Sequence, residues 1–200
     1  MTYFVFGVEY ASFVHKITCQ KQRSWRIMSH KLYNGALITC VDGWWTSRIM
    51  QVAGEILGGQ TIDLYTRPGA AKTINHGCHV TEDLIDKFVR VSVGLHGVKD
   101  IVLCNHWDCG AYGGSQAFAG PEAERDVHLE HLRNSTNILQ RAIQYHLQEI
   151  LHSPNLYHGL KMRNIQHVAD NGLRIHPILL CPSDFTQPFA GPEHCVALKL

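Results

Sequence analysis

The chain has 200 residues, enough for one domain with a sizeable core and for two domains at most. Its formal net charge is +1 and it has no basic tract or acidic tail, so nucleic acid and membrane surfaces are not favoured as partners. No apolar run approaches the roughly 18 residues of a membrane span. The N-terminus lacks a basic leader, and 7 cysteines at scattered spacings do not form a disulfide pattern. We therefore expect a cytoplasmic protein with reduced cysteines.

Apolar runs that fit buried strands alternate with amphipathic helical patterns along the chain. Strands are predicted at 36–40, 61–67, 100–106 and 174–181. Helices are predicted at 46–59, 82–96, 126–152 and 160–170. Thr81 is the expected N-cap of the second helix, and Gly97 its end. This alternation predicts an α/β fold with a doubly wound, mainly parallel sheet covered by helices on both faces.

We expect a single domain with three parts: an N-terminal arm at 1–33, an α/β core at 34–181 and a C-terminal arm at 182–200. Pro177 predicts an edge position for the fourth strand, because proline cannot donate a hydrogen bond to a neighbouring strand. The segment 182–195 contains three prolines and is predicted to be irregular.

Potential metal ligands stand at the ends of two predicted strands. Cys40 ends the first strand, His106 ends the third, and Cys109 follows His106 in an H-x-x-C spacing. Because ligands of such sheets lie outside the carboxyl ends of the strands, these side chains are expected to meet at one edge. Two thiolates and one imidazole are typical of a catalytic zinc site, which keeps its fourth position open. Asp42, on the turn after the first strand, is predicted as a fourth ligand or as a hydrogen-bond acceptor that orients hydroxide.

Other side chains offer weaker alternatives. The stretch 76–79, with His76, Cys78 and His79, is too tightly spaced for the usual zinc sites. His128 and His131 lie three residues apart on a predicted helix, where a solvated face is the favoured interpretation.

The ordered stretches ITCVDG, YTRPGA and CNHWDCGAYGG, across residues 34–150, resemble those of the beta class of carbonic anhydrases. The resemblance implies one zinc ion per subunit, held by Cys40, His106 and Cys109, and interconversion of carbon dioxide and bicarbonate. It also implies a homodimer or larger homo-oligomer whose N-terminal segment packs on the neighbouring subunit.

One position departs from that family. Its first motif is C-x-D-x-R, whose arginine pairs with the aspartate, and Trp44 stands at the arginine's place. Arg48 and Arg67 are the candidates to replace it as partners of Asp42. Two alternatives stay open: a catalytically impaired homologue with structural or sensory zinc, and a hydrolase of carbon disulfide or carbonyl sulfide.

Overall fold

The structure is a computed structural model that describes residues 33–77, 79–185 and 189–200. The N-terminal arm predicted at 1–33 therefore lies almost wholly outside the described residues, and so does Cys78. None of the described helices combines the length and the apolar character needed to cross a membrane.

A five-stranded sheet organises the fold, and its strands follow the spatial order β2-β1-β3-β4-β5. The strands are β1 Gly35–Thr39, β2 Ile62–Thr66, β3 Asp100–His106, β4 Arg174–Pro182 and β5 Cys195–Lys199. The first four are parallel, and β5 runs antiparallel to β4. Every residue of β1 is buried, as the apolar run predicted. The mainly parallel, doubly wound α/β fold predicted from the sequence is confirmed.

Helices connect the strands and cover the sheet. They are α1 Gly43–Leu57, α2 Ala71–Asn75, α3 His79–Lys87, α4 Pro121–His152 and α5 Met162–Asn171. The step from β1 to β2 moves in one direction along the sheet, whereas the steps from β2 to β3 and from β3 to β4 move in the other. With right-handed crossovers, α1 therefore covers one face and α2 to α5 cover the other.

This reversal makes the space between β1 and β3 a topological switch point. Their chains leave for opposite faces of the sheet, which opens a crevice at the carboxyl edge. Cys40 follows the last residue of β1, and His106 is the last residue of β3. The fold therefore brings both residues to the crevice.

Four local expectations are corrected by the structure. The edge position predicted from Pro177 is wrong, since β4 lies between β3 and β5. The Pro177 carbonyl accepts from the Leu200 amide at 3.3 Å, which places Pro177 beside the end of β5. The lack of an N–H at Pro177 therefore removes little of the hydrogen bonding between β4 and β5. Thr81 is not an N-cap, because α3 begins at His79. The helix predicted at 82–96 changes to a π-helix over Phe88–His96, and β5 was not anticipated in the C-terminal arm.

Candidate metal centre

Cys40, His106 and Cys109 converge at the switch point. One ligand atom from each lies within 4.8 Å of those of the other two, and all three residues are buried. The two sulfurs are 3.7 Å apart although 69 positions separate them in the chain. Within the described parts of the chain, this is the one group of three or more side chains suited to a metal ion.

The imidazole of His106 is oriented toward the sulfurs. Its Nδ1 lies 2.8 Å from the carbonyl oxygen of Trp107, so Nδ1 carries the proton and donates it. Its Nε2 is buried and has no hydrogen-bond partner among the described residues. A backbone carbonyl that fixes the tautomer of a histidine is the usual partner of a metal-ligating imidazole. The unsatisfied Nε2 beside two sulfurs therefore fits a zinc ion.

The two cysteines share their protons unequally. The hydrogen bond from the Cys109 thiol, aided by the Gly69 and Asp42 amides, lowers the pKa of Cys40 to about 3, against an opposing effect of burial. That same hydrogen bond, together with burial and the charge of Cys40, raises the pKa of Cys109. One thiolate thus forms readily and opposes the second. A divalent cation would favour both thiolates at once.

The loop after β2 supports Cys40. The Gly69 amide donates to the Cys40 sulfur at 3.3 Å, and Gly69 is buried with φ +60. A Cβ atom at Gly69 would lie 2.9 Å from the Cβ of Ala111. This close approach places the loop after β2 against the loop that follows Cys109.

The three predicted catalytic side chains have partners outside the ligand group. The Asp42 carboxylate accepts the Trp44 amide at 3.0 Å and caps the N-terminus of α1. Arg48 donates to the carbonyl of Cys195 at 2.9 Å, and Arg67 approaches Asp83 at 3.5 Å. Across the described residues, neither guanidinium bonds to Asp42, and Asp42 is not in the ligand group. Their catalytic roles and the ligation of zinc by Asp42 stay predictions.

An aromatic wall, which the sequence reasoning did not identify, covers one side of His106. Trp45 is 1% exposed, and its ring centroid lies 4.7 Å from that of His106. Phe189 stacks on Trp45 at 5.5 Å and also contacts Trp44, which is 61% exposed. Trp45 therefore excludes water from the imidazole, whereas Trp44 remains near the surface.

A buried polar network lies beneath the loop that carries Cys109. The Asn105 amide donates to the Tyr112 hydroxyl at 3.0 Å and to Nδ1 of His128 at 3.1 Å. His128 therefore carries its proton on Nε2. The Tyr112 hydroxyl in turn donates to Nδ1 of His131 at 3.0 Å. The solvated helix face predicted for His128 and His131 is wrong, because His128 is 0% exposed. Both residues instead belong to this network, which ties α4 to β3.

The network predicts a pH-dependent stability. Burial lowers the pKa of His128 below its unfolded value, with Glu124 opposing the effect. Near pH 6 the folded state then binds fewer protons than the unfolded state. The contribution of His128 to the free energy of unfolding is therefore fully present above about pH 6.5 and is lost as the pH falls below it. Between pH 7.5 and pH 5.5, we expect the free energy of unfolding of the metal-free wild type to fall by roughly 1 kcal/mol more than that of metal-free His128→Gln protein. Urea unfolding at both pH values measures this difference.

The control is His152→Gln, at the exposed C-terminal end of α4. It should keep the pH dependence of the wild type. Equal losses for the wild type and His128→Gln would show that His128 does not titrate on unfolding as described.

A family model described as "Putative carbonic anhydrase" matches residues 30–151. A solved structure, the β-carbonic anhydrase CafA of the fungal pathogen Aspergillus fumigatus, is similar with 17% sequence identity and a TM-score of 0.39. That similarity covers 85% of this chain and 76% of the fungal chain. No curated protein matches the sequence. The family match spans both β1 and β3 and so includes all three candidate ligands.

Proposed function

This chain belongs to the family described as "Putative carbonic anhydrase", and we propose that it is a zinc-dependent enzyme that interconverts carbon dioxide and bicarbonate. The observation that carries the proposal is the convergence of the Cys40 and Cys109 sulfurs on the unpartnered Nε2 of His106. Zinc held there would supply Lewis acidity that makes hydroxide available near neutral pH.

Each neighbouring group has a definite task in this proposal. The Gly69 amide stabilises the Cys40 thiolate, and the Trp107 carbonyl holds the imidazole in its ligating tautomer. Trp45 keeps water away from His106. Asp42 starts the helix beside Cys40, and its carboxylate is proposed to accept a hydrogen bond from the attacking hydroxide.

Stopped-flow measurement of carbon dioxide hydration tests the proposal. Zinc-loaded protein should be active between pH 6 and pH 9, and protein treated with a chelator should be inactive. The absence of hydration by zinc-loaded protein across that range would reject the enzyme. Assays with carbonyl sulfide and carbon disulfide on the same samples would identify a hydrolase. A homo-oligomeric state and a cytoplasmic location belong to the same proposal, and light scattering tests the first.

A second candidate function is a zinc-binding protein with little hydration activity. It is favoured by one observation: Arg48 and Arg67 are engaged with Cys195 and Asp83, so no guanidinium among the described residues orients Asp42. An arginine fork would hold that carboxylate away from the metal and fix its direction.

The Trp44→Arg variant distinguishes the two functions. Trp44 is largely exposed, so arginine should be accommodated there and can reach the carboxylate two residues before it. If the natural site is impaired, we expect stopped-flow hydration to rise at least about tenfold, the scale of one oriented charged hydrogen bond. Trp44→Gln is the matched control, because it removes the ring without adding a cation. Fast hydration by the wild type would reject the second candidate.

A further inference from the structure

The loop between the second and third ligands contains an unusual backbone conformation. Asp108 lies between His106 and Cys109 and has φ +53, in the left-handed region that favours glycine. Its side chain accepts the Ser115 amide at 2.7 Å. The direction of the Asp108 peptide determines how the chain turns from the imidazole to the sulfur.

A buried carboxylate on α4 holds that peptide. Oε1 of Glu124 accepts the Asp108 amide at 2.7 Å, across 16 positions of the chain. Glu124 lies in the first turn of α4 and is 1% exposed. A hydrogen bond from an amide to an ionised carboxylate is shorter and stronger than one between neutral groups.

Among the described residues, the Glu124 carboxylate has one hydrogen bond, the one from the Asp108 amide. Its Oε2 is buried without a partner among the described residues. Nε2 of His128, one turn further along α4, lies 3.7 Å from Oε1 and also has no hydrogen-bond partner there. Because an incompletely paired buried carboxylate is costly, the contact to the Asp108 amide is the interaction that explains its presence.

We propose that Glu124 is a positioning residue for the metal centre, which holds the Asp108 peptide so that His106 and Cys109 can bind one ion together. The inference rests on the proposed function, because it assigns Glu124 to the same zinc site. Glu124 is not in the ligand group, and its side-chain hydrogen bond goes to the loop, so its effect on zinc is exerted through the loop.

Substitution of Glu124 should weaken zinc binding in a graded manner. We expect Glu124→Ala to lower zinc affinity by about 10- to 100-fold, the usual effect of losing a group that orients a ligand. Glu124→Gln should restore most of the affinity, since its amide oxygen can still accept the Asp108 amide. Glu124→Asp keeps the charge but withdraws the oxygen, and should resemble alanine. If Glu124→Ala does not fold, the zinc affinity of Glu124→Asp tests the positioning role in its place.

Ile143→Ala is the matched control for a general loss of packing. Ile143 is buried on the same helix and belongs to the main core. It should lower the unfolding midpoint without lowering zinc affinity. Zinc affinity is measured by competition with a chromophoric chelator, and cobalt substitution reports the thiolate-to-metal absorption band of the intact site.

A metal-free readout separates this inference from the proposed function. Amide hydrogen exchange at Asp108 should be faster in Glu124→Ala than in the wild type and unchanged in Ile143→Ala. Unchanged exchange, or equal zinc affinity and cobalt spectra for all variants, would overturn the inference and leave the proposed function intact. The wild type could instead bind no zinc while exchange at Asp108 is still faster in Glu124→Ala. That outcome would overturn both the proposed function and the metal role of Glu124, and would leave only the loop contact.

Discussion

Cys109→Ala protein is expected to lose zinc and carbon dioxide hydration while it stays folded. The substitution leaves the Cys40 sulfur and Nε2 of His106 as the two remaining ligands of the group. Zinc sites of the catalytic type use three protein ligands, and loss of one should weaken binding by at least about 100-fold. The fold should persist, because Cys109 lies outside the main core, in a small cluster with Cys40 and Tyr112. Zinc content after gel filtration and stopped-flow hydration measure the two losses.

Cys104→Ala is the control for this experiment. Cys104 lies on β3 two residues before His106, is completely buried in the main core, and is outside the ligand group. Its variant should keep about one zinc ion per chain and lose only a modest amount of stability. Full zinc content in the Cys109→Ala protein would show that the metal, if bound, is held elsewhere.

The ligand group could be predicted because its geometry depends on topology more than on side-chain detail. Two ligands that end parallel strands reach the same edge of a sheet wherever those strands lie. The structure adds that β1 and β3 are direct neighbours, which brings Cys40 and His106 together across the switch point. The third ligand follows from the local H-x-x-C turn. The four predicted strands were placed to within one residue at each end, because glycine, proline and turn residues flank these short runs.

The surroundings of the ligands could not be predicted, because they depend on long-range packing. Arg48 stands one helical turn beyond Trp44 and is a candidate partner of Asp42 from the sequence, yet it bonds to the Cys195 carbonyl across 147 positions. Trp45 meets His106 because of the rotation of α1, and Glu124 reaches Asp108 because of the position of the first turn of α4. A motif limited to neighbouring residues has no signal for such contacts. The antiparallel β5 was missed because only its pairing with β4 identifies it as a strand.

Gly69→Val is expected to destabilise the protein and damage the metal centre together. At φ +60 a residue with a side chain is strained, and a β-branched one most of all. The new Cβ would lie 2.9 Å from Ala111 and 3.2 Å from the Tyr112 ring, so the loop that follows Cys109 must move. Strain and overpacking together should cost about 2 to 5 kcal/mol. Strain at position 69 also shifts the Gly69 amide that donates to the Cys40 sulfur.

Urea unfolding of metal-free protein measures the stability loss, and chelator competition measures zinc affinity. Gly110→Ala is the matched control, because Gly110 follows Cys109 directly and a Cβ there would meet nothing within 4 Å. The control should keep both properties, whereas Gly69→Val should lower both. That result would show that the Gly69 loop acts on the Cys40 thiolate in two ways. Its amide stabilises the charge of the thiolate, and its shape sets the distance between the Cys40 and Cys109 sulfurs. A Gly69→Val protein with wild-type stability and zinc affinity would contradict that coupling.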